Sequence, residues 1–412
     1  MVNRAAGAAD VRCLMVASTF APIHGGSAVV YENLCRKMPR GTIRVLTAAT
    51  SYLDRQEIPG WRAFDAAQAY PIDRIPLLRP AMLPAPANKL VSLWRLATQD
   101  LPLYARVLWN AARIVRRHDI NVVCVGELVT GTWLGIALRR LFGCKLVIYV
   151  HGEEITTRTD GHMGSKRKDF LLAADRIVAV SSFTCDVMRE LGVPGEKMTL
   201  IQNGVDIDQF TPGPRDADLV ARHGLEGKQV VLTVGRLVAR KGSDMAVRAM
   251  KDIVRRRPDV RYLIVGDGEL RPELERLIAS EGLQDHVTLV GKVSDADLLR
   301  YLRLCDVFLM PNRTMPDGDT EGFGLVFREA NACRKPVIGG RAGGAVEAVA
   351  DGVSGLLVDG WKPEEIAAAV DRILGDPALA ASLADGGYTL AQAHSTASVA
   401  ERFLRTCADV LS

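Results

Sequence analysis

The chain has 412 residues, 48% of them apolar and 24% charged, which excludes a disordered or fibrous chain and exceeds what one ordinary core holds. A net charge of +4 is too weak to argue for a nucleic-acid partner, though a local basic face could still meet an anionic lipid or a phosphorylated substrate. The 8 cysteines include no CxxC pair, so they read as buried thiols of a reducing cytosol, not as a disulfide framework or a zinc site.

The opening "MVNRAAGAAD" has no apolar core long enough for a signal peptide. "VRCLMVAS" predicts a first strand, and "HGGSAVVYENLCRKM" predicts a glycine loop, Gly25 and Gly26, feeding a helix. "TIRVLTA", "INVVCVG", "KLVIYVHG", "RIVAVSS" and "MTLIQNG" predict further strands. These runs lack polar alternation, which predicts a parallel sheet covered on both faces. The apolar run from "NVVCVG" to "KLVIYV" is interrupted by Glu127, Arg139 and Arg140, so no membrane span is expected. One segment departs from the alternation. From Leu90 to Arg117 the sequence is helical and rich in Leu, Trp and Arg, and Pro102 predicts a break in it. Two readings stand for this segment: ordinary helices of the first domain, or an amphipathic surface that rests on a membrane or an acceptor lipid.

"TPGPRDAD", near residue 210, has the composition of a linker. A second series follows it: "QVVLTVGR", "RYLIVGDG", "HVTLVGK", "VFLMPN", "KPVIGG" and "GLLVD", with helical patterns between. The whole therefore reads as α/β, two doubly wound domains whose strand carboxyl ends face a shared central cleft. The expected division is 1–208, 209–388, and a terminal helical piece, 389–412.

The chemistry-bearing candidates sit at strand ends. Arg236 and Lys241, in "GRLVARKG" after the strand "VVLTV", with Gly235 before them, suit a diphosphate: Arg as a planar fork, Lys as a compact charge. Alone, they read equally well as a solvated basic loop. In "YLIVGDGEL", Gly266 and Gly268 allow close approach to the backbone, or an ordinary tight turn. Lys292 and Val293 follow the next strand in "GKV". "EGFGLVFREA" begins with Glu321, Gly322, Phe323 and Gly324; Leu325 and Val326 then open a helix containing Glu329. Amides at a helix start attract anions, and a long carboxylate suits two ribose hydroxyls. A lone glutamate more often caps or salt-bridges locally. In the first half, His151 ends the strand "KLVIYV", as a candidate polar catalytic group or a structural histidine. Asn203, in "QNGVD", closes that half's last strand. "DID" at Asp206–Asp208 and "DGD" at Asp317–Asp319 have Asp-x-Asp spacing but read as loops, so no metal site is expected.

Together and in this order, "HGG", "VHGEE", "NGVD", "GRLVARKG", "VGDGEL" and "EGFGLVFREA" resemble the retaining glycosyltransferases of family 4, with nearest likeness to bacterial mannosyltransferase-like members. The resemblance covers nearly the whole chain. It implies the GT-B fold, two Rossmann-like domains, with the last helix packing back on the first domain. It implies that Glu329 holds the donor ribose, Glu321 contacts the transferred sugar, and Arg236 and Lys241 hold the diphosphate. His151 then lies near the sugar and acceptor, Gly25–Gly26 near the diphosphate, and Asn203, Gly235, Gly266, Lys292 and Val293 line the donor site with the amides of Gly322 to Val326. Two departures are visible: Arg334 and Lys335 stand where relatives often carry glycine, and "HSTASVAERF" lacks the tryptophan that commonly opens the last helix. The reading that results is a cytoplasmic, metal- and cofactor-independent enzyme, with peripheral contact at the inner membrane face left open. It moves a hexosyl group from a nucleoside-diphosphate sugar, GDP-mannose or a UDP-sugar, to an acceptor glycan, lipid or small metabolite. The rivals are a GT-B sugar-nucleotide epimerase and a non-catalytic nucleotide-sugar binding module.

Overall fold

The structure, a computed structural model, describes residues 7–23, 25–82, 88–156 and 166–412. The backbone divides into two compact units: the described part of Met1–Val180 with Thr184–Ile201 and Thr396–Ser412, and Ser181–Phe183 with Gln202–Ser395.

Each unit is built on an all-parallel sheet. In the first, β1 (Cys13–Ala17), β2 (Ile43–Ala48), β3 (Ile72–Ile75), β4 (Val122–Val125), β5 (Lys145–Val150), β6 (Arg176–Ala179) and β7 (Met198–Leu200) stand in the order β3-β2-β1-β4-β5-β6-β7. In the second, β8 (Gln229–Val234), β9 (Val260–Val265), β10 (Val287–Gly291), β11 (Val307–Met310), β12 (Val337–Gly340) and β13 (Gly355–Val358) stand in the order β10-β9-β8-β11-β12-β13. The central strands β1, β4 and β11 are buried along their whole length, which is why they read as unbroken apolar runs. The order reverses between β1 and β4 in one sheet and between β8 and β11 in the other. Such switch points are where open α/β sheets make a ligand crevice, beyond the strands' carboxyl ends.

Helices packed on the sheets close an apolar core in each unit. In the first, Val107, Ala111 and Ile114 of the helix Leu101–Arg117 join Leu14, Val123 and Ile148. In the second, Ala246, Met250 and Ile253 of the helix Ser243–Arg256 join Val231, Ile264 and Leu309. The helix Thr396–Asp409 belongs to the first unit. Phe403 is fully buried, its ring 6.2 Å from that of Tyr149, and Arg402 donates to the Leu200 carbonyl at 2.7 Å.

Three features differ from the sequence expectations. First, β3 was not anticipated: "IDRI" is a half-exposed edge strand between prolines, without the apolar run of its neighbours. Second, Pro102 does not break the helical segment. A π-helical turn, Leu96–Asp100, joins Lys89–Arg95 to Leu101–Arg117, and the Leu101 N–H reaches back to the Leu96 carbonyl. The wider turn gives the proline ring room where a tight α-turn would clash. Third, the Pro-Gly stretch near residue 210 lies inside the second unit. Arg303 donates to the Thr211 carbonyl at 2.9 Å, and Arg215 to Asp306 at 2.5 Å; the chain passes between units earlier, at Ile201–Gln202.

Candidate active site

In the second unit, two loops leave adjacent strands at the switch point. One runs from β8 through Gly235 and Arg236 to a 3-10 turn, Ala239–Lys241. The other runs from β11 through Thr320 and Glu321 into the helix Leu325–Ala332. The Lys241 ammonium donates to the Glu321 carboxylate and ties the loops together, and these side chains are only 13% and 14% exposed. Arg240 adds a second pair with Asp319, at 3.1 Å. Burial by itself pushes the Glu321 carboxyl up. The Lys241 charge and hydrogen bond, the Arg240 charge and the Phe323 N–H more than offset this and hold it below the ordinary glutamate range. Arg236 is exposed on the same β8 loop.

Glu329 sits on the buried side of the helix Leu325–Ala332 and is 8% exposed. Burial first, and then the charge of Asp295, push its carboxyl up to about 7, against a downward pull from Lys241. Among the described residues no ion pair or side-chain hydrogen bond reaches that carboxylate, so the local salt-bridge reading fails. Gly324 starts the helix with no capping side chain, which leaves the first amides, at Leu325 and Val326, without a side-chain acceptor. Lys292 is exposed and Val293 half-buried at the end of the edge strand β10, just before the helix Asp295–Leu304 that carries the Asp295 charge.

Close approach explains two glycines. Gly266 has φ +134°, and a Cβ there would fall 1.9 Å from the Gly235 carbonyl oxygen. What approaches Gly266 in this structure is therefore the β8 loop. A Cβ at Gly344 would fall 1.9 Å from the Gly322 carbonyl oxygen, and the Gly344 N–H donates to the Glu321 carbonyl at 2.8 Å. Gly344 thus seats the Glu321 loop. Asn203, also in the second unit, is 5% exposed, and its Oδ1 has no partner. Both Asp-x-Asp stretches turn onto their own backbone: Asp206 accepts the Asp208 N–H and Asp317 the Asp319 N–H, each at 3.0 Å. Among the described residues no group of three His, Cys, Asp or Glu is placed to hold a metal ion.

In the first unit, Gly25 and Gly26 start the helix Gly26–Lys37 beyond β1. A Cβ at either would meet nothing within 4 Å, so chain packing does not require glycine there. The preceding His24 lies outside the described residues. His151 follows β5, and its Nε2 lies 2.7 Å from the Tyr31 hydroxyl. Burial lowers the imidazole to about 4, so it is neutral at pH 7. Glu127, noted from the sequence only as an interruption, accepts the Ser18 N–H at 2.9 Å, the Thr19 N–H at 3.1 Å and the Thr130 hydroxyl at 2.7 Å. It joins the ends of β1 and β4.

Lys241, Glu321 and Glu329 are therefore brought together in the second unit, and His151 and Gly25–Gly26 lie at strand ends of the first. Sequence reasoning missed Tyr31, Glu127, Gly344 and Asn312. The fully buried Asn312 accepts the Gly340 N–H at 3.0 Å and fastens the end of β11 to β12. A polar residue just past an apolar strand was the available signal for Glu127 and Asn312. Tyr31 had none, because it sits among apolar helix residues.

Comparison with known proteins agrees across the chain. The family described as Glycosyltransferase Family 4 matches residues 24–209, and that described as Glycosyl transferases group 1 matches 217–389. A GDP-mannose-dependent alpha-(1-6)-phosphatidylinositol monomannoside mannosyltransferase of Mycobacterium tuberculosis is 30% identical over 91% of this chain and 92% of its own. The Mycolicibacterium smegmatis protein of the same name is 35% identical over 67% of this chain and 72% of its own. Among solved structures, Anabaena HepE with UDP and glucose has a TM-score of 0.76 at 21% identity, covering 96% of this chain and 99% of that one. Sucrose-phosphate synthase from Thermosynechococcus elongatus has a TM-score of 0.76 at 22% identity, covering 97% and 99%. These likenesses establish the GT-B fold, and with the family matches and the mycobacterial relatives they make the chain a glycosyltransferase of family 4.

Proposed function

We propose that the protein is a retaining, metal-independent mannosyltransferase that takes GDP-mannose as donor and a phosphatidylinositol-type lipid as acceptor. The observation that carries the donor site is the Lys241–Glu321 pair at the second sheet's switch point, with the buried, unpaired Glu329 carboxyl close enough to feel Lys241. Glu329 accepts the ribose hydroxyls, and Glu321 holds the sugar. Lys241 carries three donors, so it keeps Glu321 while reaching the diphosphate, and Arg236 shares that load. Asn203, Gly235, Gly266, Lys292, Val293 and the amides of Gly322 to Val326 complete the donor site. In the first unit, Gly25 and Gly26 offer bare backbone at the start of the helix Gly26–Lys37. The acceptor oxygen bonds to the sugar C1 as the C1–diphosphate bond breaks, and the acceptor proton passes to a leaving diphosphate oxygen on the same face. Arg236 and Lys241 stabilise the charge that grows there, with no metal ion or cofactor needed.

GDP-mannose is favoured because the mycobacterial relatives are named for it; a UDP-sugar is the alternative, since HepE binds UDP. An epimerase needs no acceptor, and a silent binding module needs no intact Arg236, Lys241, Glu321 and Glu329 set. The lipid acceptor is supported by the segment Lys89–Arg117. Leu90, Leu93, Trp94, Leu101 and Trp109 are all more than half exposed, at 77%, 63%, 62%, 56% and 62%. Exposed Arg106, Arg113, Arg116 and Arg117 accompany them. Leu108, on the same helix, packs against the core. Among the described residues no helix is long and apolar enough to cross a membrane. The segment therefore suits peripheral contact with an anionic leaflet, at the inner membrane face if the protein is cytoplasmic. Vesicles containing phosphatidylinositol mannosides, incubated with GDP-mannose and in parallel with UDP-glucose, test donor and acceptor together. Transfer with the UDP-sugar alone, or only to soluble acceptors, would overturn this reading.

A further inference from the structure

The carboxyl end of the first sheet holds a hydrogen-bond chain outside the donor chemistry above. Tyr31, in the helix Gly26–Lys37, is 1% exposed, and its hydroxyl donates to the Gly126 carbonyl at 2.6 Å. Gly126 follows β4 and has to lack a side chain, because a Cβ there would lie 2.6 Å from the Tyr31 ring. A tyrosine hydroxyl has one hydrogen. With that hydrogen committed to Gly126, its oxygen meets His151 Nε2, 2.7 Å away, as an acceptor. Nε2 therefore carries the proton. A neutral imidazole carries only one, so Nδ1 is left with a lone pair. The ring is also held in place. It stacks on Tyr149, with centroids 5.1 Å apart and planes at 20°, and meets Tyr31 edge-on at 5.1 Å and 72°. The His151 backbone N–H donates to the Glu154 carboxylate at 2.8 Å.

We propose that Tyr31 is a positioning residue: through the Gly126 carbonyl it fixes His151 in the Nε2–H tautomer, so that Nδ1 stands as a fixed hydrogen-bond acceptor for a substrate hydroxyl. This rests on the reading of His151 as a substrate-facing group in glycosyl transfer. The ring is neutral at the pH of turnover, since burial holds its pKa near 4, so it serves as an acceptor and not as a general acid. The partner this selects is an alcohol that can donate. An ether or an anionic oxygen presents a lone pair to a lone pair and is rejected.

The test is a long-range proton–nitrogen NMR spectrum of the ligand-free full chain with 15N-labelled histidine, His151 being assigned by its loss in His151→Gln. The expected wild-type spectrum shows a protonated Nε2 and an unprotonated Nδ1. Tyr31→Phe is expected to give a mixture of tautomers, or Nδ1–H. Its kcat should fall about two- to tenfold, in step with the lost fraction of competent tautomer, while KM for the donor stays nearly constant. Nδ1–H or a mixture in the wild type, or an unchanged tautomer in Tyr31→Phe, overturns the proposal. If Tyr31→Phe does not fold, the wild-type spectrum decides alone. Because no substrate is present, the spectrum stands apart from the function. The expected tautomer together with full turnover by His151→Ala would overturn the role given to His151, and with it the Nδ1–hydroxyl contact, while leaving the Tyr31 device intact.

Discussion

Glu329 is expected to weaken the protein it serves, and Glu329→Gln exposes the conflict. Its carboxyl is raised from an ordinary 4.5 to about 7 by burial and by the Asp295 charge. At about 1.4 kcal/mol per pH unit, ionising it in the folded, ligand-free protein costs about 3 kcal/mol. A carboxyl whose folded pKa is raised binds its proton more tightly folded than unfolded. The stability it contributes is therefore complete below about 4.5 and is lost as pH rises through about 7. Glutamine has the shape of the protonated form and never ionises. Glu329→Gln should thus match the wild type in urea denaturation at pH 4, and exceed it by about 3 kcal/mol at pH 8. The same variant should lose donor affinity at least tenfold, because an amide replaces a carboxylate that accepts from two hydroxyls. A variant no more stable than wild type at pH 8 would refute the claim that this carboxylate is buried and unpaired. Unchanged donor affinity would refute its role in holding the ribose.

Lys241→Ala and Arg236→Ala should each cost about 2–4 kcal/mol of transition-state stabilisation, a fall in kcat of roughly 30- to 10³-fold; steady-state rates near wild type in both would remove the diphosphate assignment. Lys241→Ala should also destabilise the ligand-free protein, because it leaves Glu321 buried without its partner; Glu321→Gln in the same background should restore melting temperature but not turnover. Turnover should persist in EDTA, and its loss with rescue by Mg²⁺ or Mn²⁺ would contradict the assignment of leaving-group charge to Arg236 and Lys241. Replacing Leu93, Trp94 and Trp109 by serine should abolish co-sedimentation with anionic vesicles at low salt while leaving the fold intact, since these side chains lie outside the core; equal recovery of wild type with neutral and anionic vesicles would sink the membrane reading.

Where each strand is buried on both faces, the apolar run announces it, so β8, β9, β11 and β12 were legible. The edge strand β3 was not, since "IDRI" sets two charged residues side by side between Pro71 and Pro76 and has no apolar run. Motif order exposed the donor-site residues because they lie on loops just past strands or, for Glu329, in the helix that follows one. What could not be read was their pairing. Lys241 and Glu321 each look like a ligand for something absent, and only the adjacency of β8 and β11 brings them to each other. The perturbed Glu329 was equally hidden, because its carboxyl answers to burial and to Asp295, which is distant in sequence. Pro102 misled because a local rule about α-turns does not foresee a π-turn that ends two residues earlier, at Asp100. Tyr31 and Gly126 form one unit only through the fold, a helix residue filling the space that a glycine leaves open.

The central claim is transfer of mannose from GDP-mannose with retention at the anomeric carbon. It is tested most directly by following GDP release and the NMR spectrum of the product in one sample of the purified full chain, with GDP-mannose and phosphatidylinositol-mannoside vesicles. The account expects GDP to appear only when acceptor is present, in step with a new α-mannosidic signal. GDP release without acceptor, a β-linked product, or turnover only with a UDP-sugar would contradict it.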